Sequence, residues 1–338
     1  MLQSVKKIKA IALISSGLDS LLAARIVSDL GIEIHGVCFF FQFDPLAEKI
    51  KRGEVEELVR PLSIPLTVVD ISEAFLPILL SPEHGYGSGV NPCIDCHLYM
   101  LRYAKEKMDA IGARFIVTGE VVGQRPMSQT KPTLFHIEKV SGLKGRILRP
   151  LSAKLLPPTV PEEQGWVDRN QLYGFSGRSR KAQLDLVKRL GIRHFNAPAG
   201  GCILTEPNYA HRAKALFRHR PKDRISVEDM QLLRFGRHFW PKDHLHIVVG
   251  RDEKDNRALE EFQQGRWVFY AKEGEGPLVL VSDVKDESDL AIAAGMTARY
   301  CGQNKTSKMR IGYHGLGKRE GEVYVRPLLD SVVEAWRV

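Results

Sequence analysis

Apolar residues in this chain come in short runs separated by amphipathic stretches, and that alternation predicts its architecture. "IKAIALI" (8–14) is an apolar run closed by Ser-Ser-Gly; "LLAARIVSDLG" then carries apolar residues at helical spacing, with Gly31 as C-cap. "IEIHGVCFF" reads as a buried strand, "AEKIKRGEVEELVRPL" as one helix and "PLTVVD" as another strand. This order predicts an α/β fold, a doubly wound and mostly parallel sheet with helices on both faces. The Gly-rich loop "EHGYGSGVNP" leads into a helix from Cys93 to Ile111, with Ile94, Leu98, Leu101, Met108 and Ile111 on its apolar face. "ARFIVTGE" and "GRILRPLS" supply further strands.

From Leu155 to Gly177 prolines and polar residues predict an irregular excursion. Two basic helices follow, in "GRSRKAQLDLVKRLGIR" and "NYAHRAKALFRH", separated by the Gly/Pro loop "FNAPAGGCILTEP" that carries Cys202. Near Asp243 the pattern restarts with "HLHIVVG", "DNRALEEFQ", "RWVFYA", "PLVLVS", "DLAIAAGMTARYCG", "KMRIGYHG" and "EVYVRPL". The predicted organisation is a first domain over 1–220, a linker over 221–242 and a smaller α/β domain over 243–338, of ordinary domain size.

Composition fits a soluble globular protein, 43% hydrophobic and 26% charged, and no apolar run is long enough to span a bilayer. "KKIKAIALIS" begins like a signal peptide, but "SGLDS" replaces a cleavage site, so the reading is a first strand in a cytoplasmic protein with no membrane partner. Five cysteines are an odd number for a disulfide framework, and in a reducing compartment a CxxC is metal-binding or catalytic more often than structural. The net charge of +9 gathers in the two basic helices, which favours a polyanionic partner.

"LISSGLDS" (13–20) stands where the first strand meets the first helix, the ligand-binding end of such a sheet. Small residues there let successive N–H groups face an anion at a helix N-terminus. Ser15, Ser16, Gly17 and Ser20 are the candidate phosphate contacts, and Asp19 can hold Mg2+. The plain alternative is a serine-rich turn that merely caps a helix. A Walker lysine is missing after the glycine, which excludes kinase-like and GTPase-like P-loops.

"SSGLDS" resembles the SGGxDS loop of PP-loop ATP pyrophosphatases, with Ser16 where the first glycine of that pattern stands. "IVTGEVVGQRPMSQT" (116–130) is similar to the TGE-x-x-GQ-x-x-SQT stretch of tRNA 4-thiouridine synthases. The resemblance covers roughly residues 8 to 205 and implies a HUP-like fold, use of ATP, and adenylation of a carbonyl oxygen from which a nucleophile displaces AMP. It adds Gly119, Glu120, Gln124, Ser128 and Gln129 as groups around the nucleotide.

Cys93 and Cys96, in "NPCIDC", lie on the first turn of one helix, where a thiolate is stabilised. Zinc, with Cys202, His97 or His84 as further ligands, is one reading. A persulfide on Cys93 or Cys96, resolved by Cys202 as in 2-thiouridylases, is another. "NPCIDC" and "GGCIL" also lie where the cluster-dependent tRNA thiolation enzymes carry three cysteines. That resemblance implies a 4Fe-4S cluster on Cys93, Cys96 and Cys202, with one iron open to a further sulfur. Cys38 and Cys301 read as packing residues. His35, His97, His136 and His194 are isolated in sequence and receive no role.

"IVVGRDEKDNRAL" and the stretch from "PLVLVS" to "IGYHG" resemble the NFACT-R domain, which implies RNA contact through Arg251, Lys254, Asn256 and Arg257. The alternative is a domain used only for dimerisation, and a homodimer is compatible with the chain. The expected function is that of an ATP-dependent tRNA sulfurtransferase taking sulfur from sulfide or a persulfide carrier. Its rivals are a PP-loop ligase with a non-sulfur nucleophile, such as lysidine formation or amide ligation, and a non-catalytic RNA- or ribosome-binding protein.

Overall fold

The structure, a computed structural model, describes residues 7–192, 195, 202–301, 307–315 and 320–338. The expected loop at "FNAPAGG" falls largely outside the described residues. The chain divides into two compact units, Met1–Thr205 and Glu206–Val338. Among the described residues no helix is long and apolar enough to cross a membrane.

The first unit begins β1 (Lys9–Leu13), α1 (Leu18–Asp29), β2 (Glu33–Phe40), α2 (Leu46–Lys51), α3 (Glu54–Val59), β3 (Leu66–Asp70) and α4 (Ser72–Leu80). It continues with α5 (Cys93–Ile111), β4 (Phe115–Val117), α6 (Lys131–Val140), β5 (Ile147–Leu148), α7 (Val160–Glu163) and α8 (Lys181–Arg189). Its five strands run in the order β3-β2-β1-β4-β5, and every pairing is parallel. In β1, Ala10, Ile11 and Ala12 are all buried, as a central strand covered on both faces requires. Leu21, Leu22 and Val27 of α1 pack in the core on one face. Leu98, Leu101, Ala104 and Met108 of α5 pack with Ile11, Val37 and Ile116 on the other. Strand order reverses at β1, whose Ala12 stands opposite Val117 of β4, so the loops after these two strands leave the sheet side by side. This is the crevice where doubly wound sheets take ligands.

One predicted helix proves to be two. Gly53, at φ 71, separates α2 from α3, because a left-handed residue ends the first helix. The helices α4 and α6 went unanticipated, although Thr130 caps α6 by accepting from the Thr133 N–H and is followed by Pro132, an ordinary helix start.

The second unit contains α9 (Pro207–His219), α10 (Val227–Leu232), β6 (Arg237–Phe239), β7 (His246–Val249), α11 (Glu253–Glu260) and β8 (Trp267–Ala271). It ends with β9 (Val279–Ser282), α12 (Glu287–Tyr300), β10 (Met309–His314), β11 (Glu320–Val325) and α13 (Asp330–Ala335). Its sheet is antiparallel, in the order β11-β10-β8-β9-β7-β6, and α12 buries Ala293, Ala294, Met296 and Ala298 against it. The division falls ahead of the expected boundary near Arg220. Segment 221–242 is no linker, since it carries α10 and β6, and β6 pairs with β7. The helix α9 is bound into this unit: Tyr209 donates to the Met230 carbonyl (2.8 Å) and Arg212 to that of Leu233 (2.8 Å).

Candidate active site

The serine loop closes on itself. Ser15 N–H donates to Ser20 Oγ (3.0 Å), the two hydroxyls lie 3.1 Å apart, and Ser20 Oγ is 2.9 Å from the Gly17 carbonyl. Gly17 is the N-cap of α1 and offers no side-chain acceptor, so the first turn lacks the cap that would compete with an anion. Ser16 is half-buried in the same loop.

Asp19 follows on the first turn of α1. Its Oδ2 accepts from Gln124 Nε2 at 2.7 Å, with Arg180 Nε at 3.9 Å. Its Oδ1 is buried without a hydrogen-bond partner. A buried carboxylate oxygen in that state calls for an explanation, and a cation is the simplest one its charge permits. Gln183 of α8, itself buried, donates to Gln124 Oε1 at 3.0 Å, so a polar chain runs from α8 through the β4 loop to α1. Gly119 permits this closeness: a Cβ there would lie 2.5 Å from the Asp19 carbonyl carbon and the Ser20 nitrogen.

Glu120, expected around the nucleotide, is buried, accepting from Thr118 Oγ1 (2.9 Å) and Arg149 Nε (2.8 Å) and facing His97 Nδ1 (3.1 Å). Arg149, also buried, binds Glu138 with its other arm. Burial opposes the charge on Glu120, but Arg149 and then His97 hold its pKa down to about 2. His97 would be lowered by burial; its hydrogen bonds to Cys93 and Glu120, and their charges, raise it to about 10. The same His97, with Ser128 and Arg125, overcomes burial and lowers the Cys93 thiol. Ser128 Oγ is fully buried beside that sulfur, in a contact looser than ordinary hydrogen-bond geometry.

The other two thiols behave oppositely. Burial, then the charges of Cys202 and Cys93, push Cys96 well up. Burial raises Cys202 to about 12, with Asp44 and Cys93 adding to it. The three cysteines therefore share one electrostatic neighbourhood. Cys202 is drawn there because the Val90 N–H, just ahead of α5, donates to the Leu204 carbonyl at 2.9 Å. Cys38 and Cys301 are buried packing residues, as expected. One loop thus serves both places: Gln124 reaches Asp19, while Glu120 reaches His97 and Ser128 reaches Cys93.

Sequence reasoning missed Arg149, Glu138 and Gln183, and named His97 only as a possible zinc ligand, not as the partner of Cys93 and Glu120. His97 carried a usable signal, since it lies one helical turn after Cys93. In the second unit, Arg251 pairs with Asp255, Arg257 with Glu253, and Asn256 Oδ1 accepts from the Leu278 N–H (3.0 Å). Asn256 is thus committed to its own fold.

A five-stranded parallel sheet whose first loop closes over a helix N-terminus, with an aspartate on that helix's first turn, defines a PP-loop-type domain. Residues 6–154 match the family model "Thiamine biosynthesis protein (ThiI)", and residues 236–337 match "NFACT protein RNA binding domain". The chain therefore carries a ThiI-type domain of the PP-loop superfamily followed by an NFACT-R domain. Among curated proteins it is 43% identical over 82 residues to GMP synthase [glutamine-hydrolyzing] of Aquifex aeolicus, covering 24% of this chain and 16% of that protein. It is 30% identical over 125 residues to tRNA-specific 2-thiouridylase MnmA of Clostridium kluyveri, covering 33% of this chain and 35% of that one. It thus spans at most about a third of these relatives' length. A solved 4-thiouridine synthetase–RNA complex with bound ATP aligns with a TM-score of 0.39 at 24% identity, over 54% of this chain and 41% of that one.

Proposed function

We propose that this chain is an ATP-dependent tRNA sulfurtransferase. The carrying observation is the buried, unpartnered Asp19 Oδ1 at the N-terminus of α1, in the same unit as three electrostatically coupled cysteines. Asp19 Oδ1 would hold Mg2+ on the ATP phosphates, while the Gln183–Gln124 chain fixes the other carboxylate oxygen. Ser15, Ser16, Gly17 and Ser20 would surround the pyrophosphate. A uridine carbonyl oxygen attacks the α-phosphorus and pyrophosphate leaves; sulfur then attacks the ring carbon and AMP departs with the oxygen. Extruding the uridine costs a few kcal/mol, which the NFACT-R domain and the basic helices would offset through phosphate contacts.

The donor set of Cys93, Cys96 and Cys202 fits a 4Fe-4S cluster. Cys96 and Cys202 are held protonated by burial, to which Cys202 and Cys93 add at Cys96 and Asp44 and Cys93 at Cys202, a cost that iron would remove. Such a cluster supplies an open iron site at which inorganic sulfide can be held. Among the described residues, the group whose ligand atoms all lie within 4.8 Å is Glu83, His84 and Asp95, not the cysteines. At least one pair of the three sulfurs therefore lies farther apart than the edge of about 3.8 Å in a tetrahedral zinc–thiolate site.

A second reading has its own observation, the asymmetry between Cys93 and the other two thiols. With His97 braced by Glu120 and Arg149, Cys93 is the natural thiolate. It would carry a persulfide from an external donor. After the terminal sulfur attacks the uridine, Cys202 would displace it, leaving a Cys93–Cys202 disulfide for an external thiol to reduce.

The deciding experiment is anaerobic purification with iron and labile-sulfide analysis, alongside mass spectrometry of tRNA nucleosides. The cluster reading expects about four irons and four sulfides per chain, lost together with thiolation when Cys93, Cys96 or Cys202 becomes alanine. A colourless, iron-free protein that still thiolates tRNA selects the persulfide route. Asp19→Ala should abolish pyrophosphate release while tRNA binding survives; intact turnover would overturn the site assignment.

A further inference from the structure

We propose that His84 and His136 form a binding site for a divalent transition-metal ion, separate from the cysteines. His84 Nδ1 lies 2.8 Å from Asp95 Oδ1, and the His84 N–H donates to Asp95 Oδ2 at 3.1 Å. Asp95 is buried, so its carboxylate clamps both the ring and the main chain of His84. The ring proton then sits on Nδ1, and the Nε2 lone pair points outward. It points at another imidazole: His84 Nε2 and His136 Nε2 are 3.1 Å apart, with the ring planes 73° from parallel.

Two imidazole nitrogens that close need something between them. Without metal, His136 donates its Nε2 proton to His84. With metal, His136 moves its proton to Nδ1 and both Nε2 atoms coordinate. Zinc–nitrogen bonds of 2.0–2.1 Å place two such ligands about 3.4 Å apart, so the exposed His136 has to shift by only a few tenths of an ångström. A carboxylate holding the far nitrogen of a histidine is the usual support of a ligating imidazole. Glu83, exposed, has an oxygen within 4.8 Å of Asp95 and one His84 ring nitrogen, on the supporting side of the ring, so water completes the coordination. Nitrogen and oxygen donors without sulfur select Zn2+, Co2+ or Ni2+.

The ion would join two separate segments. His84 lies in the Gly-rich loop before α5, and His136 lies on α6. Gly87 of that loop already packs so tightly on Met127 that a Cβ there would overlap its sulfur. The metal is a clip holding the entry to α5, and the inference stands whether or not the sulfur-transfer reading does.

The test uses the full chain, stripped by chelator and titrated with Co2+. In a Cys93→Ser, Cys96→Ser, Cys202→Ser background, which removes the thiolate donors, the expected result is one cobalt per chain with d–d absorption. His136→Gln, on an exposed face, should abolish that signal without altering the circular dichroism. Asp95→Asn should weaken it by about ten- to a hundredfold. If that background shows no d–d absorption, or if adding His136→Gln leaves Co2+ bound as tightly, the site does not exist.

Discussion

Gly119→Ala should damage the first unit in a way that Gly17→Ala does not. The added methyl at 119 would sit 2.5 Å from the Asp19 carbonyl carbon and the Ser20 nitrogen, about 0.9 Å short of the 3.4 Å at which ordinary contact begins. Both obstacles are backbone in the first turn of α1, beneath the core residues Leu21 and Leu22, so no side chain can swing aside. The other side cannot yield easily either, because β4 pairs with β1 and β5 and the Thr118 N–H binds the Leu148 carbonyl. Overpacking of this kind costs about 1–3 kcal/mol, or a fall of roughly 2–12 °C in Tm for a unit of this size. At Gly17 the methyl meets only Ser15 Oγ, at 3.2 Å, and φ is −85, so the change should stay within about 0.5 kcal/mol. Thermal and urea unfolding followed by circular dichroism measure the difference. Pyrophosphate release gives a second readout: moving Asp19 and Gln124 by about an ångström should cost Gly119→Ala about a hundredfold. Equal stability of the two variants, or native turnover by Gly119→Ala, would refute the close-approach argument.

Arg149→Met strands Glu120 and Glu138 in the interior and should cost about 3–5 kcal/mol in urea unfolding; a loss below about 1 kcal/mol would mean that the network relaxes into solvent. In the second unit, burial, then Arg212, depresses His238 from 6.5 to about 3, and His246 is lowered too. The unfolded chain then binds protons more readily, so stability should fall as pH drops below about 6.5, by up to about 5 kcal/mol near pH 3; melts that stay flat over that range would contradict it. Deleting residues 206–338 should weaken tRNA binding and flatten its salt dependence by roughly one log–log unit for each phosphate no longer neutralised; an unchanged slope would remove the second unit from RNA binding.

Much of the fold was legible because its signals are local. Alternating apolar runs gave the strands, Gly31 and the Cys93–Ile111 periodicity gave α1 and α5, and the serine loop fell between β1 and α1. What failed locally had a local cause: Gly53 was available to split the helix after Asp44, and Thr130 with Pro132 to start α6. The division at Thr205 was different, since it depends on α9 binding the carbonyls of Met230 and Leu233. The site's working contacts were likewise hidden. His97 meets Glu120, Gln183 reaches Asp19 through Gln124, and Cys202 arrives through the Val90–Leu204 bond. None of these pairs is adjacent in sequence. Sequence pattern determines which faces are buried, but parallel strand register and helix packing determine which polar groups are buried together. In a low-dielectric interior those neighbours decide which thiol is lowered and which carboxylate oxygen is left without a hydrogen-bond partner.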